Sequence, residues 1–174
     1  MNSGDYFVSP NVLQDFFETK RNEDIVYGYV ACPVEGKPQI QLHFLAKDDI
    51  SIVVFLSTTI PHQATFYKRS LFEKFGLYSE RYKIVSDLEF NIKTIIYGNV
   101  SVKFVPIKVS YFEEGGISMT SPLHKEERKK LIGELIPPRI RKDLQDAVSK
   151  KEICHNKFFR YLYSFLYRTA IYCR

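Results

Sequence analysis

Two aspartates stand in local sequences that suit chemistry. Asp5 follows the short polar turn "NSG" beside an aromatic strand segment, and the glycine leaves room for a divalent cation such as Mg²⁺ or Mn²⁺ to reach its carboxylate. Asp87 follows Ser86 at the start of an amphipathic segment, where a helix N-terminus stabilises an ionised carboxylate by about 0.3–1 kcal/mol. Such a carboxylate can act as a general base toward a hydroxyl group. Both residues also fit ordinary structure, since Asx turns and first helical turns are rich in acids.

Two further stretches carry polar groups that could line a site. "PHQATFYKR" places His62 and Gln63 between a proline and an apolar strand, where both side chains can face a pocket. A single histidine is more often a structural residue. "FEEGGISMTSP" combines acids, glycines and hydroxyls, and the backbone N–H groups of such a loop can bind phosphate oxygens. Gly-Gly loops are nevertheless common in proteins of every class.

The elements that must position these residues alternate between helix and strand. Residues 9–20 have helical spacing with Ser9 as the expected cap, and residues 24–44 read as a β-hairpin. Residues 48–61 fit either a short buried helix or a strand. The mixture of helices and strands indicates an α/β layered domain.

Two helices are expected to begin with capping boxes. Ser70 and Glu73 have the required spacing in the strand-then-helix segment 64–76, and Ser86 and Glu89 repeat it in the segment that ends at Gly98. The strand that follows contains Pro106, which predicts a sheet edge or a bulge because proline cannot donate to the ladder.

Composition limits the class of protein. Hydrophobic residues make up 45% and aromatic residues 15% of the 174-residue chain, which excludes a disordered protein. The three widely spaced cysteines favour reduced thiols in the cytoplasm over a disulfide framework. The N-terminus lacks the pattern of a secretory signal, and no apolar stretch approaches the ~20 residues that span a bilayer.

The four stretches together resemble a known family. "NSGDYF", "YGYV", "IPHQATFYKRSLFEKFGLYSERYKIVSDLEF" and "YFEEGGISMTS", in this order, resemble the second half of a family-2 glycosyltransferase with the GT-A fold, of the bacterial kind that builds polysaccharides. The resemblance runs from Met1 to about Leu131 and is most specific over residues 61–90. It implies an α/β fold with a partial GT-A-like mixed sheet and flanking helices over residues 1–135, the acceptor-side catalytic half. Residues 136–174 form a helical, basic and aromatic C-terminal tail.

The resemblance also implies roles for individual residues. Asp5 matches the metal-binding DxD motif, with Ser3 in place of its first acid, and Asp87 matches the catalytic base. Glu114 matches a late metal ligand of the family, and His62 and Gln63 match residues that line the sugar and acceptor pocket. Gly115, Gly116 and Ser118 match the mobile loop over the diphosphate.

The implied reaction is an inverting, metal-dependent transfer from a nucleotide-sugar donor to a saccharide or lipid-linked acceptor. In this family a nucleotide-binding segment precedes the equivalent of Asp5. The expectation is therefore a fragment or one half of a split enzyme, whose missing N-terminal half is a partner and whose isolated chain binds little donor. The alternative is a catalytically inactive remnant or interaction module of the same fold.

The basic charge is concentrated at the C-terminus. Residues 139–174 contain nine Lys or Arg residues and only three Asp or Glu residues. The net charge of the whole chain is +5. Cations interleaved with Tyr and Phe suit the inner face of a membrane, where the cytoplasmic protein would bind peripherally. The same aromatic residues would equally cover an apolar patch on the domain. These aromatic residues form too dense an apolar cluster to act as separate platforms on which bases stack. Nucleic acid is therefore not an expected partner.

A tail deletion distinguishes the two interpretations of residues 139–174. If the tail binds membranes, the intact chain co-sediments with vesicles containing anionic lipid and a variant ending at residue 138 stays in the supernatant. Neutral phosphatidylcholine vesicles are the control, because the electrostatic contribution is then absent. Equal sedimentation of both chains would contradict membrane binding.

Overall fold

The computed structural model describes residues 4–18, 22–31, 48–111 and 121–155, with side chains as far as residue 146. Within them the chain forms a mixed four-stranded sheet with the strand order β1-β4-β2-β3. The strands are β1 (Tyr6–Phe7), β2 (Ile25–Ala31), β3 (Thr65–Tyr67) and β4 (Val102–Tyr111). The central pair β2 and β4 is parallel, and the edge strands β1 and β3 are antiparallel to their neighbours. This confirms the expected mixed α/β sheet with flanking helices.

Six α-helices accompany the sheet in the described ranges. They are α1 (Val12–Phe17), α2 (Ile52–Ser57), α3 (Arg69–Phe75), α4 (Ser86–Asn91), α5 (Leu123–Leu135) and α6 (Pro138–His155). A 3₁₀ turn at His62–Ala64 leads directly into β3, and α4 continues as a π-helical segment over Ile92–Tyr97. The ambiguous stretch 48–61 therefore contains a helix, α2. The second half of the predicted hairpin, from residue 32 onward, lies outside the described residues.

One core lies between α1 and the sheet. Its buried members come from α1, the two central strands and the 3₁₀ turn: Val12, Phe16, Val26, Val30, Ala64, Val105 and Val109. Ile25 and Tyr27 alternate with Val26 along β2 and are fully buried as well. Successive side chains of a strand point to opposite faces, so both faces of β2 are covered, as is usual for a central parallel strand.

A bulge interrupts the pairing of the central strands beside Pro106. Tyr27 pairs with Phe104 and Tyr29 with Lys108, so two residue steps along β2 face four along β4. Pro106 sits in this irregular stretch, where β4 pairs only with β2, because β1 pairs with β4 at Ser110 and Tyr111 alone. The prediction of a bulge is confirmed. Gly28 faces the bulge, where an added Cβ would lie 2.6 Å from the carbonyl oxygen of Ile107.

The helix starts differ from the predicted ones. α1 begins at Val12 after Asn11, so Ser9 is not its cap, and neither α3 nor α4 has a side-chain cap. The expected capping-box glutamates are bound elsewhere: Glu73 lies 3.5 Å from Arg69, and Glu89 lies 2.8 Å from Lys93. The predicted stops are correct. Gly76 ends α3 with a positive φ of 85°, and Gly98 ends the π-helical segment.

The chain divides into two compact units, residues 1–131 and 132–174. In the second unit α6 starts at Pro138, and the N–H of Arg141 bonds the carbonyl of Pro137. The roles assigned to residues 1–135 and 136–174 stay predictions, and the aromatic end of the tail lies outside the described residues. Among the residues that the structure describes, no helix has the length and apolarity to cross a bilayer.

The close approach at Gly28 makes a stability prediction. Gly28→Ala would press its methyl group against the Ile107 carbonyl and the Val109 side chain, so it should lower the free energy of unfolding by about 1–3 kcal/mol. Gly133→Ala in α5 is the control, because its Cβ meets only Arg141 at 3.4 Å and alanine favours a helix by about 0.5–1 kcal/mol. Urea denaturation followed by circular dichroism measures both. Equal stability of the two variants would contradict the bulge geometry.

Candidate active site

Asp87 and His62 meet in the structure. Asp87 is the second residue of α4, and its Oδ1 accepts the backbone N–H of Leu88 at 2.8 Å. Its Oδ2 lies 3.5 Å from Nδ1 of His62, a distance that allows an ion pair when the imidazole is protonated. The side chains are 19% and 31% exposed, respectively. The carboxylate is thus held on one oxygen by the backbone while the other faces the imidazole and is reachable from solvent.

The turn that carries His62 is fixed by local hydrogen bonds. The N–H of Ala64 and the hydroxyl of Thr65 both donate to the carbonyl of Pro61, at 3.0 and 2.7 Å. Pro61 and Ala64 are buried, so the turn is anchored on both sides of His62. His62 and Asp87 therefore reach the site from two separate elements, the 3₁₀ turn before β3 and the start of α4.

A buried carboxylate positions the start of α4. Glu127 of α5 accepts the backbone N–H groups of Lys83 and Ile84 at 2.9 Å each and of Val85 at 3.3 Å. Burial of Glu127 alone would raise its pKa, but these three donors outweigh that effect and hold the pKa below the ordinary value. Val85 immediately precedes α4, so Glu127 fixes the backbone from which Asp87 projects.

The next residue of α5 brings a cation toward Asp87. Arg128 donates from one guanidinium nitrogen to the carbonyls of Phe55 and Thr58, at 2.7 and 2.8 Å, and so binds the end of α2. Burial lowers the pKa of Arg128, whereas the negative charge of Asp87 raises it. Nε of Arg128 is buried with no hydrogen-bond partner in the described part of the chain. A guanidinium therefore stands within electrostatic range of the candidate base.

Two phenols complete the surroundings of Asp87. The hydroxyl of Tyr67 donates to Oδ1 of Asn91 at 2.8 Å, and the amide of Asn91 donates to Oγ1 of Thr59 at 3.2 Å. Burial is the main cause that raises the pKa of Tyr67, and the charges of Tyr78 and Asp87 add to it. Burial also raises the pKa of Tyr78, its hydrogen bond to Tyr67 lowers it, and Asp87 raises it again. The charge of Asp87 thus acts on both phenols.

The other predicted site residues are placed as follows. Gln63 is half-buried beside His62. Asp5 directly precedes β1, whose first residue pairs with Tyr111 at the end of β4. β1 and β3 are opposite edges of the sheet, three interstrand spacings or about 14 Å apart, so Asp5 and His62 approach the same end of the sheet from its two edges. Glu114, Gly115, Gly116 and Ser118 lie outside the described residues.

The metal prediction rests on residues of which only Asp5 is described. Over residues 4–18, 22–31, 48–111 and 121–146, no three His, Cys, Asp or Glu side chains cluster as a metal site would require. The described residues alone therefore do not supply the donor set for Mg²⁺ or Mn²⁺. Binding by Asp5 together with Glu114 stays a prediction from the resemblance.

Several residues around Asp87 were missed by sequence reasoning. Asn91 follows Asp87 by four positions, which places both on one face of a helix, and this spacing was a usable signal. Glu127 and Arg128 gave no such signal, because "HKEERKKL" reads as an ordinary charged helix surface. Tyr67 and Tyr78 belong to a segment in which aromatic residues are frequent, so their types alone did not single them out.

Comparison with known proteins points to one class of enzyme. Over 73 residues, 41% of this chain, the sequence is 40% identical to a protein of Mycobacterium bovis named "PGL/p-HBAD biosynthesis glycosyltransferase". A Mycobacterium tuberculosis protein of the same name matches with the same identity over the same length. The matched stretch covers only 28% of these relatives. No family model matches the chain. No solved structure matches it either. The chain is therefore related to glycosyltransferases over part of its length.

The buried carboxylate of α5 predicts a pH-dependent stability. Glu127→Gln should lower the free energy of unfolding at pH 7 by about 1–3 kcal/mol, because an amide cannot accept three N–H groups as a carboxylate does. The folded-state pKa of Glu127 is lowered, so its stabilisation is present above the ordinary value of 4.5 and is lost as pH falls through the folded-state pKa. The difference between wild type and variant should therefore shrink in acid.

Chemical denaturation at pH 7 and at pH 3.5 measures this difference. Glu126→Gln is the matched control, since Glu126 is the exposed neighbour on the same helix. A Glu127→Gln variant as stable as the control at pH 7 would contradict the role given to Glu127.

Proposed function

We propose that this chain forms the acceptor-side, base-carrying part of a glycosyltransferase. It would transfer a sugar from a nucleotide-sugar donor to a hydroxyl group of a saccharide or lipid-linked acceptor. The relationship to the mycobacterial glycosyltransferases supports the class of reaction. The contact between Asp87 and His62 is the observation that carries the assignment, because two separate elements deliver these side chains to one solvent-reachable place. A family-2 relationship with a GT-A-like fold is part of the same proposal.

Asp87 is the general base in this proposal. Its Oδ1 is occupied by the N–H of Leu88, which leaves Oδ2 to take the proton of the acceptor hydroxyl. The acceptor oxygen attacks the anomeric carbon of the donor from the side opposite the nucleoside diphosphate. The new glycosidic C–O bond forms as the bond to the diphosphate breaks, with inversion at that carbon, and the proton resides on Asp87. Correct placement of a base typically contributes 10²–10⁴-fold to the rate.

The surrounding residues hold this base in position. His62 faces Oδ2 and restricts the rotation of the carboxylate, and Glu127 fixes the backbone before α4. The guanidinium of Arg128 supplies positive charge within electrostatic range of this carboxylate. A metal ion held by Asp5 and Glu114 would stabilise the leaving diphosphate, as the resemblance implies, but none of the steps above depends on it. The loop with Gly115, Gly116 and Ser118 is proposed to cover the diphosphate.

A chimera tests the role of Asp87, since the matched stretch covers only part of the mycobacterial relatives. Residues 61–131 of this chain replace the corresponding residues of the Mycobacterium tuberculosis relative, and sugar transfer is measured. We expect turnover, and we expect Asp87→Asn to lower kcat by about 10²–10⁴-fold with an unchanged KM for the donor. Glu80→Gln is the control, an exposed acid seven residues away.

The outcomes separate the interpretations. A folded chimera that transfers sugar equally well with Asn at position 87 would refute the general-base role. A folded chimera with no turnover, while the unaltered relative is active, would favour an interaction module of the same fold.

A further inference from the structure

Tyr78 is an exposed aromatic ring in a rigid setting. It is 41% exposed, yet its ring packs edge-on against Phe72 at 5.7 Å and against Phe90 at 5.2 Å. Phe72 and Phe90 are themselves stacked, with their ring centroids 4.8 Å apart. Two neighbouring helices, α3 and α4, therefore fix the orientation of the Tyr78 ring while part of it remains open to solvent.

The surroundings of Tyr78 are fixed as well. Tyr67 packs on the same two rings, Phe72 and Phe90, and its hydroxyl donates to Asn91, whose amide donates to Thr59. A side chain whose ring is held by fixed neighbours loses little conformational entropy when a ligand binds to it. This is the property expected of a preorganised binding surface.

The ring lies beside the candidate base. Phe90 and Asn91 follow Asp87 by three and four positions, so all three share one face of α4, one helical turn apart. Tyr78 packs edge-on against Phe90 of this face. Tyr78 thus stands over the turn of α4 that begins with Asp87.

The chemistry of the exposed surface points to a sugar ring. Leu77, next to Tyr78 in the α3–α4 connection, is 80% exposed, so this part of the connection presents two largely apolar side chains to solvent. A pyranose has a flat face of C–H groups surrounded by hydroxyls, and such a face packs on an aromatic ring while the hydroxyls stay in water. Tyrosine combines an apolar body with a hydrogen-bonding end, which suits a ligand of this kind.

We propose that Tyr78 binds the acceptor of the reaction by packing its ring on the C–H face of a pyranoside, with an acceptor hydroxyl directed at Asp87. The acceptor is then a sugar-containing molecule, whether a free saccharide or the sugar of a glycolipid. This inference rests on the proposed function, because only a glycosyltransferase needs an acceptor sugar beside the base.

A fluorescent substitution tests binding without turnover. The chain contains no tryptophan, so Tyr78→Trp introduces a single indole at the proposed binding surface. Titration of the full-length variant with methyl hexopyranosides up to about 50 mM should change the intensity or position of its emission in a saturable way, since stacking removes water from the indole. Tyr97→Trp is the matched control: Tyr97 is also an exposed tyrosine, at the end of the π-helical segment.

A second measurement uses the unmodified chain, in case Tyr78→Trp does not fold. Saturation transfer from the aromatic protons to the same glycosides should be observed by NMR, lost in Tyr78→Ala and kept in Tyr97→Ala. In the chimera, Tyr78→Ala should raise the acceptor KM by about tenfold and leave the donor KM unchanged, and Tyr78→Phe should retain most of the affinity.

The outcomes distinguish this inference from the proposed function. A saturable signal at position 78 but not at position 97 supports the inference, even if Asp87→Asn leaves turnover intact and the general-base role fails. An unchanged acceptor KM in Tyr78→Ala overturns the inference while the general-base role stands. Absence of a saturable response in both binding experiments overturns it as well.

Discussion

The arrangement around Asp87 depends on the bonds that one buried carboxylate makes to the backbone. Glu127 accepts three consecutive N–H groups, from Lys83 to Val85, just before α4 begins. α4 has no side-chain cap of its own, so this interaction from a distant helix defines where it starts. A charged group out of water is costly unless its hydrogen bonds are satisfied, and backbone donors that cannot move away satisfy them well. The position of Asp87 is thus a tertiary property of the fold.

The same helix acts on two sides of the candidate site. Glu127 holds the loop before α4, and the adjacent Arg128 holds the end of α2 through the carbonyls of Phe55 and Thr58. α2 leads through Thr59 and Pro61 to the turn with His62, so both partners of the His62–Asp87 contact are tied to α5. Two neighbouring residues of opposite charge thereby fix two elements that are far apart in sequence. This explains how a contact across 25 positions is kept at 3.5 Å.

The local sequence patterns predicted the helices and strands more accurately than the residues at which the helices begin. Alternation and helical spacing located β2, β3, β4 and α4, and Pro106 correctly indicated a bulge, because these features depend on side-chain periodicity and on the missing proline N–H. The capping boxes were wrong because Glu73 binds Arg69, one helical turn earlier, and Glu89 binds Lys93, one helical turn later. A sequence pattern identifies a glutamate that could accept a backbone N–H at the start of the helix. It does not show that a nearby Arg or Lys binds this glutamate instead.

The residues of the candidate site also divide into those that the sequence identified and those that it did not. Asp87 and His62 were singled out from their local sequence and given roles by the resemblance, and they are in contact in the structure, whereas Glu127, Arg128 and Tyr78 were not singled out. Burial gives Glu127 and Arg128 their roles, whereas Tyr78 combines a packed ring edge with an exposed face, and these properties depend on which helix covers which loop. Glu126 and Glu127 are adjacent residues of the same type, so the sequence does not distinguish them. Glu126 is exposed, whereas Glu127 is only 9% exposed and bonds to the backbone.

The π-helical segment after α4 has a consequence for changes in chain length. In it the N–H of Gly98 reaches back five residues to the carbonyl of Lys93, one more than in an α-helix, so this turn contains a surplus residue. Deleting one residue between positions 92 and 97 would let the helix return to the α-helical repeat without moving Asp87 at its other end. Insertions and deletions can thus be absorbed on the side that leads to β4, and natural variation in length is expected to collect there.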